Sequence, residues 1–361
     1  MIEIRIENHE ERLEDLLNLF QSSYQLKASS ELWKWKYLQN PLASAHPEVV
    51  VAIDNNKIVG ARPLLLSELW LGNQRVKAAQ PCDTMVHSEY RREGLFSKMN
   101  KLAIEFYRNN SYALFYNFPN GMSRPGYLKQ GWKMTAITEN LCRFNNPQKL
   151  LAHKLKNRPA GYLAGSLYDR FLNHRVQSNS LSGNFHSEVF NQYPFMLQEV
   201  AVLRDKATIS IARDETYFKW RFDRHPENKY EYIVVKKGEA LWGYAVISRQ
   251  EQNNGLVHGI IMDYLVKNND IECFRVLMNA CLNELEKFKC DLIFVWAFSE
   301  IQFRQELMKN FGFKSPLKFP YGKLLGTGYF LVREINSELL GGMDIFNGSN
   351  WRVTHYYHDI T

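Results

Sequence analysis

Apolar and polar residues alternate at the start of the chain, Ile2-Glu3-Ile4-Arg5-Ile6, and this period of two predicts a half-buried strand. The period then lengthens: Leu13, Leu16, Leu17 and Phe20 fall on one face of a helix. An aromatic cluster follows, Trp33-Lys34-Trp35-Lys36-Tyr37, with Pro41 six residues after Trp35, and then the apolar run Val49-Val50-Val51-Ala52-Ile53. The polar turn Asp54-Asn55-Asn56-Lys57 between that run and Ile58-Val59-Gly60-Ala61 predicts a hairpin.

The same order recurs downstream. Phe218-Lys219-Trp220-Arg221-Phe222 is followed by Pro226, six residues after Trp220, then by the strand Tyr232-Ile233-Val234-Val235, the turn Lys237-Gly238-Glu239 and Leu241-Trp242-Gly243-Tyr244. Ala113 to Phe118 matches Leu292 to Phe298 as buried strands, and Gly131-Trp132-Lys133 matches Gly312-Phe313-Lys314. Four blocks in one order with nearly constant offset predict an internal duplication. The expected organisation is two copies of one fold, at 1–145 and 183–361. A structured connector over 146–182 joins them, its helical material, such as Leu163 to Phe171, being interrupted at Arg158-Pro159-Ala160-Gly161.

Composition narrows the class. A chain of 361 residues fits two domains, and 45% hydrophobic content must be buried somewhere, which excludes a disordered protein. No apolar run reaches the about 18 to 20 residues that cross a bilayer, and Met1 to Glu7 lacks a signal-peptide core, so a cytoplasmic protein with no membrane partner is expected. The five cysteines are scattered without CxxC spacing, which predicts reduced thiols and no metal. Lys and Arg give a formal charge of +7 but are spread along the chain, a pattern that favours a phosphate-bearing small molecule over nucleic acid. Plain solubility accounts for the charge equally well.

The segment Asp83-Thr84-Met85-Val86-His87-Ser88-Glu89-Tyr90-Arg91-Arg92-Glu93-Gly94-Leu95-Phe96 reads as strand, tight loop and helix start. Such a loop leaves backbone N–H groups at a helix N-terminus, where the dipole amounts to roughly half a positive charge, and a pyrophosphate fits there. Gly94 admits close approach of a ligand, and Arg91 and Arg92 add charge. An ordinary helix start with surface arginines has the same appearance.

From about Ile58 to Lys133 these residues resemble the acyl-coenzyme A binding part of the GNAT acetyltransferase superfamily, whose loop reads Gln or Arg, two residues, Gly, one residue, then Gly or Ala. Arg91 and Gly94 match and Phe96 departs from the final small residue. Asn120, Ser123, Tyr127 and Gly131-Trp132 match the second motif of that family. The resemblance implies an α/β (α+β) protein of two tandem GNAT folds, each a mixed, mostly antiparallel sheet flanked by helices. It implies that Arg91, Arg92, Glu93, Gly94, Leu95 and Phe96 surround the phosphates of acetyl-CoA, the co-substrate. Asn120 and Ser123 then follow the pantetheine arm, with Asn117 either a second contact to that arm or an edge residue of its strand, and the Val86 N–H polarises the thioester. Tyr127 serves as the acid for the leaving thiolate, and Asp83, His87 or Glu89 are the candidate bases. Packing alone accounts for Tyr127 as a covering aromatic, for Asp83 as a structural hydrogen-bonder and for His87 as a solvent-facing histidine.

The second copy reads Asp263-Tyr264-Leu265-Val266 and then Lys267-Asn268-Asn269-Asp270 before its helix, with neither glycine nor paired arginines, and Met308 stands where Tyr127 stands in the first. It is expected to be inactive and to frame the acceptor pocket, with Trp220, Trp296, Asp263 and Tyr264 available, or to use those residues as core. Arg213 to Phe222, with His225-Pro226, resembles a signature of tandem GNAT proteins. Asn350 to Thr354 resembles their closing strand, and the usual acidic ending appears as Tyr356-Tyr357-His358-Asp359. The expected activity is acetyl transfer from the coenzyme A thioester to a primary amine of a small-molecule acceptor, by a monomer or homodimer. A Fem-like aminoacyltransferase and a non-catalytic acyl-CoA-binding module are the alternatives.

Overall fold

The computed structural model describes residues 1–155, 158–171, 184–296, 298, 301–318, 321 and 325–357. The first part of the chain runs β1 (Glu3–Asn8), α1 (Leu13–Tyr24), α2 (Ser30–Trp33), β2 (Glu48–Asp54), β3 (Lys57–Arg62), β4 (Leu64–Leu71), β5 (Gln74–Pro81) and β6 (Met85–Val86). Next come α3 (Leu95–Asn109), β7 (Tyr112–Asn117), α4 (Arg124–Lys129) and β8 (Lys133–Phe144). Helices α5 (Pro147–Lys154) and α6 (Arg158–Phe171) lead to β9 (Phe185–Phe190), β10 (Ile209–Ile211), α7 (Glu215–Phe218), β11 (Tyr230–Lys237), β12 (Ala240–Glu251) and β13 (Val257–Val266). The last elements are α8 (Ile271–Lys287), β14 (Leu292–Trp296), α9 (Ile301–Asn310), β15 (Thr327–Glu334) and β16 (Trp351–Arg352).

The duplicated blocks fold alike for the same local reasons. Ser29 caps α2 through the Leu32 N–H, and Asp214 caps α7 through the Tyr217 N–H, as short polar side chains do at helix starts. Each helix then widens into a π turn, Lys34–Leu38 and Lys219–Asp223. At these turns the two copies meet. The Trp35 indole donates to the Trp220 carbonyl at 2.8 Å, the Trp220 indole donates to the Trp35 carbonyl at 2.9 Å, and the rings stack with centroids 5.0 Å apart. A reciprocal contact of this kind is what a local two-fold relation between the copies generates. One apolar core, containing Trp33, Leu69, Phe218, Tyr232 and Trp351, is continuous across both halves.

The sheets are mixed and mostly antiparallel. One has the order β1-β2-β3-β6, and the other runs β16-β10-β4-β5-β7-β15-β8-β14-β13-β12-β11-β9. The sheet pairing does not part at the expected boundaries of 145 and 183. Strand β15, from the last third of the chain, lies antiparallel between β7 and β8, and β8 also pairs with β14. The stretch Arg158-Pro159-Ala160-Gly161 does not interrupt a helix either. It begins α6, because proline in a first turn forfeits an N–H that has no partner there anyway. A Cβ on Gly161 would stand 2.2 Å from the Ala152 Cα and one on Gly165 2.3 Å from the Gln148 Cα, so these glycines let α6 lie against α5. The end of the expected connector, residues 172–182, and the His358-Asp359 ending lie outside the described residues. All five cysteines are buried, and no disulfide joins any two of them. No described helix is long and apolar enough to cross a membrane.

Trp35→Phe and Trp220→Phe each remove a donor and leave the opposite buried carbonyl without its partner, so each is expected to destabilise the protein by about 2–4 kcal/mol. Because the two bonds share one stacked pair, the double variant is expected to lose less than the two single losses added together, by more than about 0.5 kcal/mol. Denaturant unfolding of the four proteins checks this, and simple additivity would contradict it.

Candidate active site

Two prolines open the sheet. Pro63 separates β3 from β4, Pro81 ends β5, and each lacks the N–H that a ladder requires. The Cys82 N–H returns to the Pro63 carbonyl (3.1 Å), and Asp83 turns the chain with φ of 46°, a left-handed conformation uncommon for any residue but glycine. Strand β6 then lies against β3, whereas β7 stays in the larger sheet, where its pairing with β5 covers only Lys77 to Ala79. The two strands diverge, leaving an opening between them. His87 N–H donates to the Val59 carbonyl (2.9 Å), and Val86 stands opposite Gly60. Alternation along an antiparallel ladder therefore turns the N–H and carbonyl of Val86 away from β3 and towards the opening. The carbonyl accepts the Arg91 Nε at 3.4 Å, and the N–H faces the gap.

The loop before α3 leaves the start of that helix open. Arg91, Arg92 and Glu93 are exposed, Arg92 takes φ of 71° and Gly94 φ of 73°, and no side chain caps the helix. A Cβ placed on Gly94 meets nothing within 4 Å, so the space in front of the first-turn amides is open. Leu95 anchors the helix in the core beside Met99. The second copy differs here in a physically decisive way: the Asp270 carboxylate accepts the Glu272 and Cys273 N–H groups, both at 2.9 Å, so the amides at the start of α8 already hold an anion. Across the corresponding strand ends, Tyr264 donates to the Trp296 carbonyl (3.3 Å). Asp263 is fully buried and held by both arms of Arg213, by Tyr244 and by Thr354. Burial opposes its charge, and Arg213 and the hydroxyls outweigh that and hold its carboxyl below the usual range. Trp220, Tyr264 and Asp263 are thus core, as the packing alternative has it.

Between these elements lies a cavity of about 820 Å³, walled by residues 20–36, 81–86 and 117–127 of the first copy and by His225, Glu227 and Asn228 of the second. Eight of the residues expected at the site line it: Asp83, Val86, Arg91, Phe96, Asn117, Asn120, Ser123 and Tyr127. Arg92, Glu93, Gly94 and Leu95 belong to the adjoining loop and helix start, outside the cavity wall, and His87 is also outside it, with Glu89 3.9 Å from its ring. Tyr127 is 3% exposed, edge-on to Phe96 and Trp132, and no described group hydrogen-bonds its hydroxyl. Asp83 is not a free base: Lys36 (2.8 Å) and Tyr37 (2.6 Å) both hold its Oδ2. The carbonyl oxygen of Asn120 is taken by the Met122 and Ser123 amides, and that of Asn117 by its neighbour Phe118, leaving their NH₂ groups as the donors available to a ligand.

Three residues of the site escaped sequence reasoning. Arg62 lies wholly buried beneath Phe96 and Tyr127; a charge inside the apolar run Ile58 to Leu66 was its visible signal. Lys36 hides among aromatics. His225 replaces the Asn40 of the first copy at the same turn. Asn40 Oδ1 accepts the Leu42 N–H, and His225 Nδ1 accepts those of Glu227 and Asn228. Burial, aided by Arg221, lowers the His225 pKa to about 3, so the ring is neutral, with its proton on Nε2.

Comparison with known proteins agrees with this architecture. The family model described as acetyltransferase (GNAT) domain matches residues 4–135. No curated protein matches the sequence. A GCN5-related N-acetyltransferase from Anabaena variabilis is similar in structure, with TM-score 0.64 at 12% identity over 92% of this chain and 73% of that one. A tandem GNAT protein from the clavulanic acid biosynthesis pathway is similar with TM-score 0.56 at 12% identity over 93% of this chain and 99% of its own. Saccharomyces cerevisiae N-myristoyltransferase with bound myristoyl-CoA is similar with TM-score 0.55 at 11% identity, over 91% and 82% of the two chains.

The buried histidines make a pH prediction. His9, 2% exposed and stacked on Tyr37, also has its pKa lowered to about 3 by burial. A folded value below the unfolded one means that the unfolded chain takes up the proton first. The stability these neutral rings support is complete above pH about 6.5 and lost as pH falls towards 3. Between pH 6 and 5 the unfolding free energy of His9→Phe is expected to fall less steeply than that of the parent, by up to about 1.4 kcal/mol per pH unit. Equal slopes in urea titrations would show that His9 takes no part.

Proposed function

We propose, since residues 4–135 match the family model of the acetyltransferase (GNAT) domain, that this protein moves an acetyl group from acetyl-CoA to the primary amine of a small-molecule acceptor by direct attack on the thioester. The observation that carries the reading is one cavity that brings together Val86, whose N–H is unpaired at the strand edge, and Tyr127, with the uncapped start of α3 adjoining its wall between Arg91 and Phe96. The coenzyme thioester supplies the activated acyl group. Backbone amides from Arg92 to Phe96, with Arg91 and Arg92, hold its phosphates, and the loop fits them because neither a cap nor a Cβ fills the space. The NH₂ groups of Asn117 and Asn120, with Ser123, line the arm.

Val86 N–H donates to the thioester oxygen as negative charge gathers there, a contribution of about 3 kcal/mol for one preorganised donor. Tyr127 gives its hydroxyl proton to the departing sulfur. Asp83, whose charge Lys36 neutralises, fixes the wall, and His87 is not among the residues that line the cavity. The acceptor side is walled by Phe20, Trp33 and the neutral His225. The acceptor attacks as the free amine, because only an unprotonated nitrogen has the electron pair that bonds to the thioester carbon.

Coenzyme A release, followed by a thiol reagent over a panel of amines, tests the proposal. Tyr127→Phe is expected to lower kcat about a hundredfold and leave the KM for acetyl-CoA within about twofold. Undiminished kcat would remove Tyr127 as the acid, and absence of amine-dependent release across the panel would count against acetyl transfer.

A further inference from the structure

Arg62 is the least expected residue near the cavity. It is 0% exposed, and no described carboxylate pairs with it. Its Nη2 donates to Asn100 Oδ1 of α3 at 2.7 Å, its Nη1 approaches the Thr84 hydroxyl at 3.4 Å, and its Nε has no partner among the described residues. The guanidinium carbon lies 5.4 Å from the centre of the Tyr127 ring and 5.3 Å from that of Phe96. A buried cation held only by neutral groups is costly, since nothing in its surroundings replaces the water it gave up. A methionine or leucine would fill the same space without that cost, so packing does not account for the charge.

We propose that Arg62 serves to make Tyr127 an effective proton donor, by placing a permanent cation beside the ring of the phenol on which negative charge appears. The inference rests on the acyl-transfer reading above. In that reaction the amine nitrogen bonds to the thioester carbon and the C–S bond breaks with its electron pair passing to sulfur. Sulfur takes the Tyr127 proton, and the phenolate regains one from the nitrogen, which must shed it to become an amide. Tyr127 is thus anionic only around the transition state. A cation close to its ring, in a site shielded from water, stabilises that moment and leaves the bound reactants nearly unaffected. Arg62 is a positioning and tuning residue that acts through Tyr127; it does not itself line the cavity.

Asn100 provides the discriminating variant. Asn100→Asp keeps the oxygen that accepts from Arg62 but sets a carboxylate against the guanidinium, neutralising its field while preserving or improving the packing. Asn100→Asp and Arg62→Met are each expected to lower kcat about tenfold with the KM for acetyl-CoA within about twofold. Arg62→Lys is expected to recover most of the loss. In a Tyr127→Phe background neither change should cost more than about twofold further, because the group they act through is gone. A folded Asn100→Asp protein with parental kcat would overturn the proposal, and so would losses that multiply with that of Tyr127→Phe. If Arg62→Met does not fold, Asn100→Asp decides alone. A Tyr127→Phe variant with undiminished kcat would sink the acyl-transfer role of Tyr127 and this inference with it. A slow Tyr127→Phe beside a normal Asn100→Asp would sink only the role of Arg62.

Discussion

The reciprocal Trp35–Trp220 contact is the constraint on which the rest of the architecture depends. Each indole satisfies the carbonyl of the other, so the two π turns can be buried together without stranding a backbone acceptor. The contact also brings the second copy to the cavity: the His225 ring lies 4.4 Å from that of Trp35, and the turn it caps carries Glu227 and Asn228 into the wall. The placement of β15 between β7 and β8 then ties the last third of the chain into the larger sheet, beside strands of the first copy. Strand pairing is consequently continuous across the two copies, although the sequence repeats as two.

Symmetry of fold does not extend to symmetry of chemistry, and the difference can be traced to a few atoms. In the first copy, Pro63, Pro81 and the left-handed Asp83 part β6 from β7, and Gly94 leaves the start of α3 uncapped. In the second, Asp270 satisfies the equivalent amides and Tyr264 bridges the strand ends. An anion approaching α8 would meet a carboxylate, and one approaching α3 meets open donors and two arginines. One aspartate separates a capped helix start from an open one.

Much of this was legible in the sequence because it follows from local rules. Alternation at Ile2 to Ile6, helical spacing at Leu13 to Phe20 and the repeated aromatic-proline blocks correspond to β1, α1 and the two π turns. The loop at Arg91 to Gly94 announced an uncapped helix start. What could not be read are features that depend on where distant segments meet. The insertion of β15 between β7 and β8 leaves no mark in either strand's pattern, since buried strands look alike whichever neighbour they have. Asp83 looked like a free acid because Lys36 and Tyr37, its partners, lie 46 and more residues earlier. His225 stands where the first copy has asparagine, and only the fold reveals that both cap the same turn and that one of them faces the cavity.

The central claim is that the chain has one coenzyme site, built on the uncapped start of α3. Calorimetric titration of the parent and of Gly94→Asp with acetyl-CoA and with free coenzyme A tests it most directly, because the variant gives the first copy the acidic cap that the second already has. The account predicts one site per chain of micromolar strength for both ligands, with binding lost in the folded variant. Binding unchanged in Gly94→Asp, two sites per chain, or no heat at all from folded parental protein would contradict it.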